Sequence, residues 1–175
     1  MSKRCCASTG RASPNDAGVR LHVLAVGTRV SRWVNDACAD YQQRFPAHCP
    51  LSIEAVPAPR RGRHLDVSRL KEKEFQSLCA RVPDGSLTIV LEEKGRSWTT
   101  NQLAARLKDW MHHQRDVVFM IGGPDGLAPA AVAGAREKWS LSPLTLPHAL
   151  VRVIVVEQLY RALTILSDHP YHLGH

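Results

Sequence analysis

The chain of 175 residues lacks the patterns that mark secreted, zinc-binding and membrane-spanning proteins. Its five cysteines are odd in number and form no C-x-x-C pair, which argues against a disulfide framework and against structural zinc. The longest apolar stretch, residues 150–166, is interrupted by Arg152, Glu157 and Arg161 and is therefore unsuited to a membrane span. These absences favour a reduced, cytoplasmic compartment with no membrane partner.

Positive charge exceeds negative charge in the sequence. The chain has 23 Lys and Arg against 16 Asp and Glu, which gives a formal net charge of +7. Such a balance favours a polyanionic partner such as RNA. The densest basic run is Arg60, Arg61 and Arg63, which we interpret either as a clamp for RNA phosphates or as a solvated loop.

Apolar runs of strand length alternate with segments of helical periodicity. The predicted strands cover residues 21–26, 51–56, 86–91, 116–121 and 138–141, and the predicted helices cover 31–44, 66–81, 99–113, 129–137 and 147–168. Near-continuous apolar strands between helices predict an α/β fold with a parallel sheet covered by helices on both faces. Residues 1–18 have no apolar periodicity, so we expect a disordered tail over 1–18 and a single domain over 19–175.

Two of the predicted helices carry more specific expectations. The first has one stripe at helical spacing, which predicts that its members face the core: Trp33, Val34, Ala37, Cys38 and Tyr41. The last helix is apolar nearly all round, and Ile154 and Leu159 leave it no adequate polar side. A surface helix of a monomer is not expected to be so apolar, so this helix predicts a homodimer interface.

A glycine turn follows the fourth predicted strand. Gly122, Gly123 and Gly126 lie between that strand and a helix, where missing side chains let a ligand approach backbone amides. The alternative is a tight turn with no ligand, built around Pro124 and Asp125. The spacing matches neither the dinucleotide motif G-x-G-x-x-G nor a P-loop, because no G-K-[ST] follows.

Three acidic residues are expected beside this turn, at the carboxyl end of the sheet. Asp125 lies in the turn, and Glu92 with Glu93 follows the third predicted strand. Such a rim repels a phosphate-bearing cofactor but suits a cationic sulfonium and an ammonium group. The residues therefore favour S-adenosylmethionine over NAD or ATP.

A second loop of interest precedes the last helix. Pro143 and Pro147 bias the residues before them to extended conformations, which leaves amides and carbonyls unpaired. An adenine edge can take those hydrogen bonds while leucines pack on its faces. The alternative is a buried connection without a ligand. The predicted cofactor residues here are Leu141, Ser142, Pro143, Leu144, Thr145, Leu146 and Pro147.

Several motifs resemble the RlmH family of SPOUT-class, knotted methyltransferases. They are Gly27-Thr28, Gly122-Gly123, the pattern Leu-Ser-x-Leu-Thr-x-Pro-His over residues 141–148, the runs 151–153 and 157–162, and Pro170-Tyr171-His172. The resemblance covers residues 19–172 and implies a C-terminal trefoil knot and a homodimer. It also implies that S-adenosylmethionine is held by Leu91, Gly122, Gly123 and residues 141–147. Val19 falls where members of the family begin, so we expect residues 1–18 to be dispensable.

The same resemblance implies methylation of N3 of a pseudouridine in the helix-69 loop of 23S rRNA, on assembled ribosomes. Methyl transfer to an imide nitrogen needs loss of its proton. The catalytic candidates are His148, Arg152, Tyr171 and His172, since a histidine accepts a proton near neutral pH and an arginine stabilises negative charge on the flanking carbonyl oxygens. Alternatively, His148 only begins a helix and Arg152 pairs with a carboxylate.

Two rival functions remain open from the residues. The first is a non-catalytic ribosome-binding factor on the same fold, and the second is a flavodoxin-like nucleotide binder, which the acidic rim disfavours. A metal site built from His169, His172 and His175 is not expected, because Pro170 breaks the helical spacing.

Overall fold

The computed structural model describes residues 18–59, 66–113 and 115–173 of the chain. The predicted tail, apart from Gly18, and the basic loop with Arg60, Arg61 and Arg63 lie outside the described residues. The backbone of His172 is described but its side chain is not.

The described part of the chain alternates strands and helices as predicted. The elements are β1 (Leu21–Val26), α1 (Arg32–Gln43), β2 (Leu51–Val56), α2 (Val67–Cys79), β3 (Leu87–Ser97), α3 (Thr100–His112), β4 (Val117–Ile121), α4 (Pro129–Gly134), β5 (Glu137–Ser140) and α5 (His148–Leu166), followed by a 3-10 turn over Pro170–Leu173. Most predicted boundaries lie within two residues of these, and α4 ends three residues earlier than predicted. None of the helices in the described segments has the length and apolarity needed to cross a membrane.

The five strands form one parallel sheet in the order β2-β1-β4-β3-β5. The central strand β4 is buried along its whole length, whereas the edge strand β2 exposes Ser52 and Glu54. The α/β class with a parallel sheet is therefore confirmed. The trefoil knot stays a prediction. All carboxyl ends of the strands lie at one edge of the sheet, where ligands bind in open parallel sheets.

Helices cover both faces of this sheet. On one face α5 lies between α1 and α3 and contacts β1 and β4, and its Leu159 is fully buried. On the other face α2 and α4 pack over Leu24, Val90 and Met120. Because the sheet sits between two apolar layers, its central strand β4 needs no polar face, as its composition predicted.

One prediction about α1 is wrong. Trp33 was expected in the core-facing stripe, but the side chain is 54% exposed. The buried stripe is set by Val34 and Cys38, one helical turn apart, and Tyr41 extends it at the half-buried end. Trp33 precedes Val34 by one residue and therefore points about 100° away from that stripe.

Strand β3 is longer than predicted and shapes the carboxyl edge. Its ladder with β5 shifts register between Leu91 and Arg96, both of which oppose Trp139. The residues between them bulge outward, and the indoles of Trp98 and Trp139 then stack with centroids 5.1 Å apart. The guanidinium of Arg106 lies 4.3 Å from the Trp98 ring centroid. Because Trp98 follows β3 and Trp139 lies in β5, this stack packs the end of β3 against β5 and stabilises the start of the loop that follows β5.

Candidate functional site

A cleft of about 680 Å³ opens at the carboxyl edge of the sheet. This volume falls in the range of sites for small molecules and cofactors. The cleft is formed by the middle of β3, the ends of β4 and β5 with the loops that follow them, and the start of α5. Its lining includes Leu91, Gly122, Gly123, Leu141, Ser142, Leu144, Thr145, Leu146 and Pro147. Of the predicted cofactor residues, Pro143 alone is not in the lining.

The glycine turn presents bare backbone to this cleft. Its amide at Gly126 donates to the carbonyl of Gly123 at 2.9 Å, and Gly126 has φ +80°, which favours glycine. A Cβ atom on Gly122 would lie 2.9 Å from the backbone carbon of Gly126 and 2.9 Å from the nitrogen of Leu127. A side chain at Gly122 therefore forces the turn itself to move.

Gly123 is constrained from the other side, by helix α2. A Cβ atom there would lie 2.9 Å from Oε1 of Glu74, a carboxylate that is 6% exposed. The missing side chain at Gly123, a residue of the cleft lining, thus admits a buried carboxylate against the turn. Substitution at Gly123 is expected to disturb packing as well as ligand access.

The loop over residues 141–147 is irregular, as its prolines predicted. The hydroxyl of Ser140 donates to the carbonyl of Ser142 at 3.1 Å, and Ser142 Oγ accepts from the amide of Leu144 at 2.9 Å. Pro147 is extended, with φ −57° and ψ 133°, and precedes the first turn of α5. The side chain of Leu144 is 71% exposed at the mouth of the cleft. An apolar group at that position is available to cover the flat face of a ligand.

The charged lining of the cleft is mainly acidic. Glu92, Glu93 and Asp125 all line it. Asp125 follows β4 as predicted, but Glu92 and Glu93 lie within β3, where its register with β5 shifts. Lys71 of α2 also lines it, and so does Trp139. The sequence reasoning missed both, because a lysine on a helix and an apolar side chain on a strand carry no local signal of a ligand site.

His148 is the predicted catalytic residue that lies in the cleft. It is the first residue of α5, and its Nε2 lies 3.8 Å from where a Cβ atom of Gly27 would stand. Desolvation, with a smaller contribution from the positive charge of Arg152, lowers the pKa of His148 below its usual value of 6.5. The imidazole is therefore neutral at neutral pH, so it can accept a proton.

Arg152 lies beneath the cleft rather than in its lining. Its side chain is 3% exposed, and Nη2 donates to the carbonyls of Val26 at 2.7 Å and Gly27 at 2.6 Å. Burial lowers the pKa of Arg152 from its usual value. Among the described residues its hydrogen-bond partners are these two carbonyls and not the carboxylate given as the alternative, so Arg152 holds the end of β1 against α5, beside His148. Its contact with substrate oxygens stays a prediction.

Tyr171 lies away from His148 within the same chain. Its hydroxyl is 2.9 Å from that of Tyr41 and donates to Glu157 Oε1 at 3.2 Å. Burial and these two partners raise the pKa of Tyr171 well above its usual value. Glu157 follows His148 by nine residues, or about 13 Å along the axis of α5. One chain therefore does not bring Tyr171 to the cleft.

Comparison with known proteins connects this cleft to a family. Residues 19–172 match the family model described as predicted SPOUT methyltransferase. The chain is 49% identical to the ribosomal RNA large subunit methyltransferase H of Thioalkalivibrio sulfidiphilus and 48% identical to that of Pseudomonas aeruginosa, in each case over 88% of this chain and 99% of the relative.

A solved structure of lower similarity was also found. It is the SpoU methyltransferase AviRb from Streptomyces viridochromogenes in complex with AdoMet, with 12% identity, a TM-score of 0.45, and coverage of 85% of this chain and 62% of that one. The family model and the two close relatives confirm the resemblance drawn from the motifs. The chain therefore belongs to the SPOUT methyltransferases and, within them, to the ribosomal RNA large subunit methyltransferase H family.

Proposed function

We propose that this protein transfers a methyl group from S-adenosylmethionine to N3 of a pseudouridine in the helix-69 loop of 23S rRNA, on assembled ribosomes. The observation that carries this proposal is the cleft at the carboxyl edge, where backbone from two loops and an acidic rim surround one neutral histidine. The names of the two close relatives support ribosomal RNA of the large subunit as the substrate.

The residues of the cleft fit S-adenosylmethionine. The glycine turn offers bare backbone at Gly122 and Gly123, and the irregular loop over 141–147 offers backbone groups to an adenine edge. Glu92, Glu93 and Asp125 give the lining the negative charge that a sulfonium and an ammonium group require. When bound, S-adenosylmethionine supplies a methyl group on positively charged sulfur.

His148 is the proposed general base. In the proposed step the N3–H bond of the pseudouridine breaks and its proton passes to a ring nitrogen of His148. The methyl carbon would bond to N3 as its bond to the sulfur of S-adenosylmethionine breaks, and the sulfur would keep that electron pair. The lowered pKa keeps that nitrogen unprotonated before the reaction. Arg152 contributes as a positioning residue, because it fixes the strand end beside His148.

The proposed enzyme acts as a cytoplasmic homodimer. Within one chain, Val155, Leu159 and Leu163 are already buried, but Val151 and Ile154 are only partly covered. A second copy packed on this side of α5 would complete their burial. Because Tyr171 lies far from His148 of its own chain, we propose that Tyr171 and His172 serve the cleft of the second copy.

The basic loop is the proposed contact for RNA phosphates. Arg60, Arg61 and Arg63 changed together to Ala should weaken ribosome binding and reduce its dependence on salt concentration, because fewer counterions are released. Affinity for S-adenosylmethionine, measured by calorimetry, is the control and should not change. Unaltered ribosome affinity and salt dependence would show that the loop is merely solvated.

Tritium transfer from methyl-labelled S-adenosylmethionine tests the proposed reaction. The substrates are ribosomes that lack the methyl group, prepared with and without the pseudouridine. We expect label in 23S rRNA only when the pseudouridine is present. Ribosome binding without any transfer of label would favour the rival function, a non-catalytic ribosome-binding factor.

A further inference from the structure

The charges that line the cleft are not all of one sign. Three carboxylates, on Glu92, Glu93 and Asp125, account for the acidic rim, and His148 is held neutral. Among the described residues of the lining, Lys71 is the one side chain with a full positive charge. A site built only to attract cations has no need of an ammonium group, so the presence of Lys71 needs a separate explanation.

Lys71 reaches the cleft from α2, past the glycine turn. Its Nζ lies 3.8 Å from the position that a Cβ atom of Gly126 would occupy. Because Gly126 has no side chain, the ammonium group of Lys71 lies next to the backbone of the turn. The residue is half-buried, and in the described part of the chain it forms no ion pair. Its three donors remain available to an anion in the cleft.

The proposed cofactor carries one anionic group to match this single cation. S-adenosylmethionine has a sulfonium, an ammonium and a carboxylate. The acidic rim suits the first two groups and repels the third, so the carboxylate needs a positive charge to enter the same cleft. We infer that Lys71 binds the carboxylate of the amino-acid moiety, placing that moiety on the α2 side of the glycine turn.

This inference rests on the proposed function, and a cofactor analogue tests it. Decarboxylated S-adenosylmethionine keeps the adenosine, the sulfonium and the amine but lacks the carboxylate. Calorimetry with the full chain should show that the wild type binds S-adenosylmethionine about tenfold more tightly than the analogue, as expected for a charge-assisted hydrogen bond in a partly exposed site.

Three variants identify the residue responsible for that preference. Lys71→Met should lose the preference for S-adenosylmethionine and bind the analogue equally or more tightly, because the acidic rim then repels the carboxylate unopposed. Lys71→Arg should retain a preference for S-adenosylmethionine because the charge is kept. Lys73→Met is the matched control, since Lys73 lies on the same helix but is exposed and outside the lining. Its preference should equal that of the wild type, and circular dichroism verifies that each variant is folded.

The possible results separate the two proposals. If the wild type binds neither ligand, the proposed function fails together with the inference. If the wild type prefers S-adenosylmethionine and Lys71→Met keeps the same ratio of the two affinities, the proposed function stands and the assignment of Lys71 is overturned. Equal binding of both ligands by the wild type also overturns it, because no group in the cleft then recognises the carboxylate.

Discussion

Replacing Arg152 by Met separates the structural contribution of the buried guanidinium from its electrostatic effect on His148. Met is unbranched and uncharged, so it fills the space of the aliphatic part of the Arg152 side chain beneath the cleft but not that of the guanidinium. The substitution removes both hydrogen bonds from Nη2, to the carbonyls of Val26 and Gly27. It also removes one of the two causes that lower the pKa of His148.

The two effects on stability oppose each other. Hydrogen bonds from a charged donor contribute about 1.5–3 kcal/mol each, so two lost bonds remove roughly 3–6 kcal/mol. Met relieves the desolvation penalty of a buried cation, which is several kcal/mol and partly offsets this loss. The carbonyls of Val26 and Gly27 are then left without this donor, so we expect a net destabilisation of about 2 kcal/mol. For a chain of this size, that lowers the Tm by roughly 4–8 °C.

The effect on the pH dependence of methyl transfer has a definite sign. His148 must be neutral to act as a base, so kcat/KM falls as the pH drops through its pKa. Without the charge of Arg152 that pKa rises toward 6.5, although desolvation, the larger cause, remains. The acid limb of the profile should therefore move to higher pH in Arg152→Met. In Arg152→Lys the positive charge is retained, so the limb should stay near its wild-type position.

Stability against pH gives an independent check on the same group. Because the folded pKa of His148 lies below its unfolded value, its contribution to stability is present above about pH 6.5 and is lost as the pH falls through the folded pKa. Arg152→Met should show a smaller loss in that window. Unchanged Tm together with an unmoved acid limb would refute both assigned effects of Arg152, and a lower Tm with an unmoved limb would refute its electrostatic effect on the base.

Three further substitutions test the cleft, the assembly and the β5 edge. Gly122→Ala should weaken S-adenosylmethionine binding by at least about tenfold, because its Cβ would collide with backbone of Gly126, and unchanged calorimetric affinity would contradict that packing. Ile154→Glu should give monomers in sedimentation equilibrium, and a monomeric wild type would exclude the proposed dimer. Arg106→Leu removes the ion pair with Glu137 and should lower the free energy of unfolding by about 1 kcal/mol, whereas no change in thermal denaturation would show that the pair is fully screened.

The strands and the two cleft loops could be predicted from the sequence because their signals are local. Strand β4 is five consecutive apolar residues and is buried throughout, so its composition alone indicates a central position. The glycines at 122 and 123 and the prolines at 143 and 147 restrict backbone conformation at the positions where they stand. Parallel strands then bring both loops to the same edge of the sheet without further information.

Features that depend on contacts between distant segments could not be predicted in this way. The extension of β3 to Ser97 is polar in sequence and is held by the stack of Trp98 on Trp139, about 40 residues apart along the chain. Lys71 reaches the cleft only because α2 packs beside the glycine turn. The helical period also fits a broader stripe that includes Trp33, the residue before Val34. Only contacts with other segments decide that Val34 is buried and that Trp33 is exposed.

The position of Tyr171 shows why a motif does not by itself specify a site within one chain. The family pattern groups Tyr171 with His148. In the structure, however, the hydroxyl of Tyr171 contacts Tyr41 of α1 and Glu157, which lies on the part of α5 remote from the cleft. Both partners hold the phenol hydroxyl, so moving it to His148 of the same chain would break both contacts and unpack the end of α5. In the proposed dimer, Tyr171 contacts substrate in the cleft of the second copy and not in the cleft of its own chain. The Ile154→Glu variant then has a second readout: besides dissociating, it should lose methyl transfer while keeping its affinity for S-adenosylmethionine, because each monomer retains a whole cleft but no longer faces a partner's tyrosine.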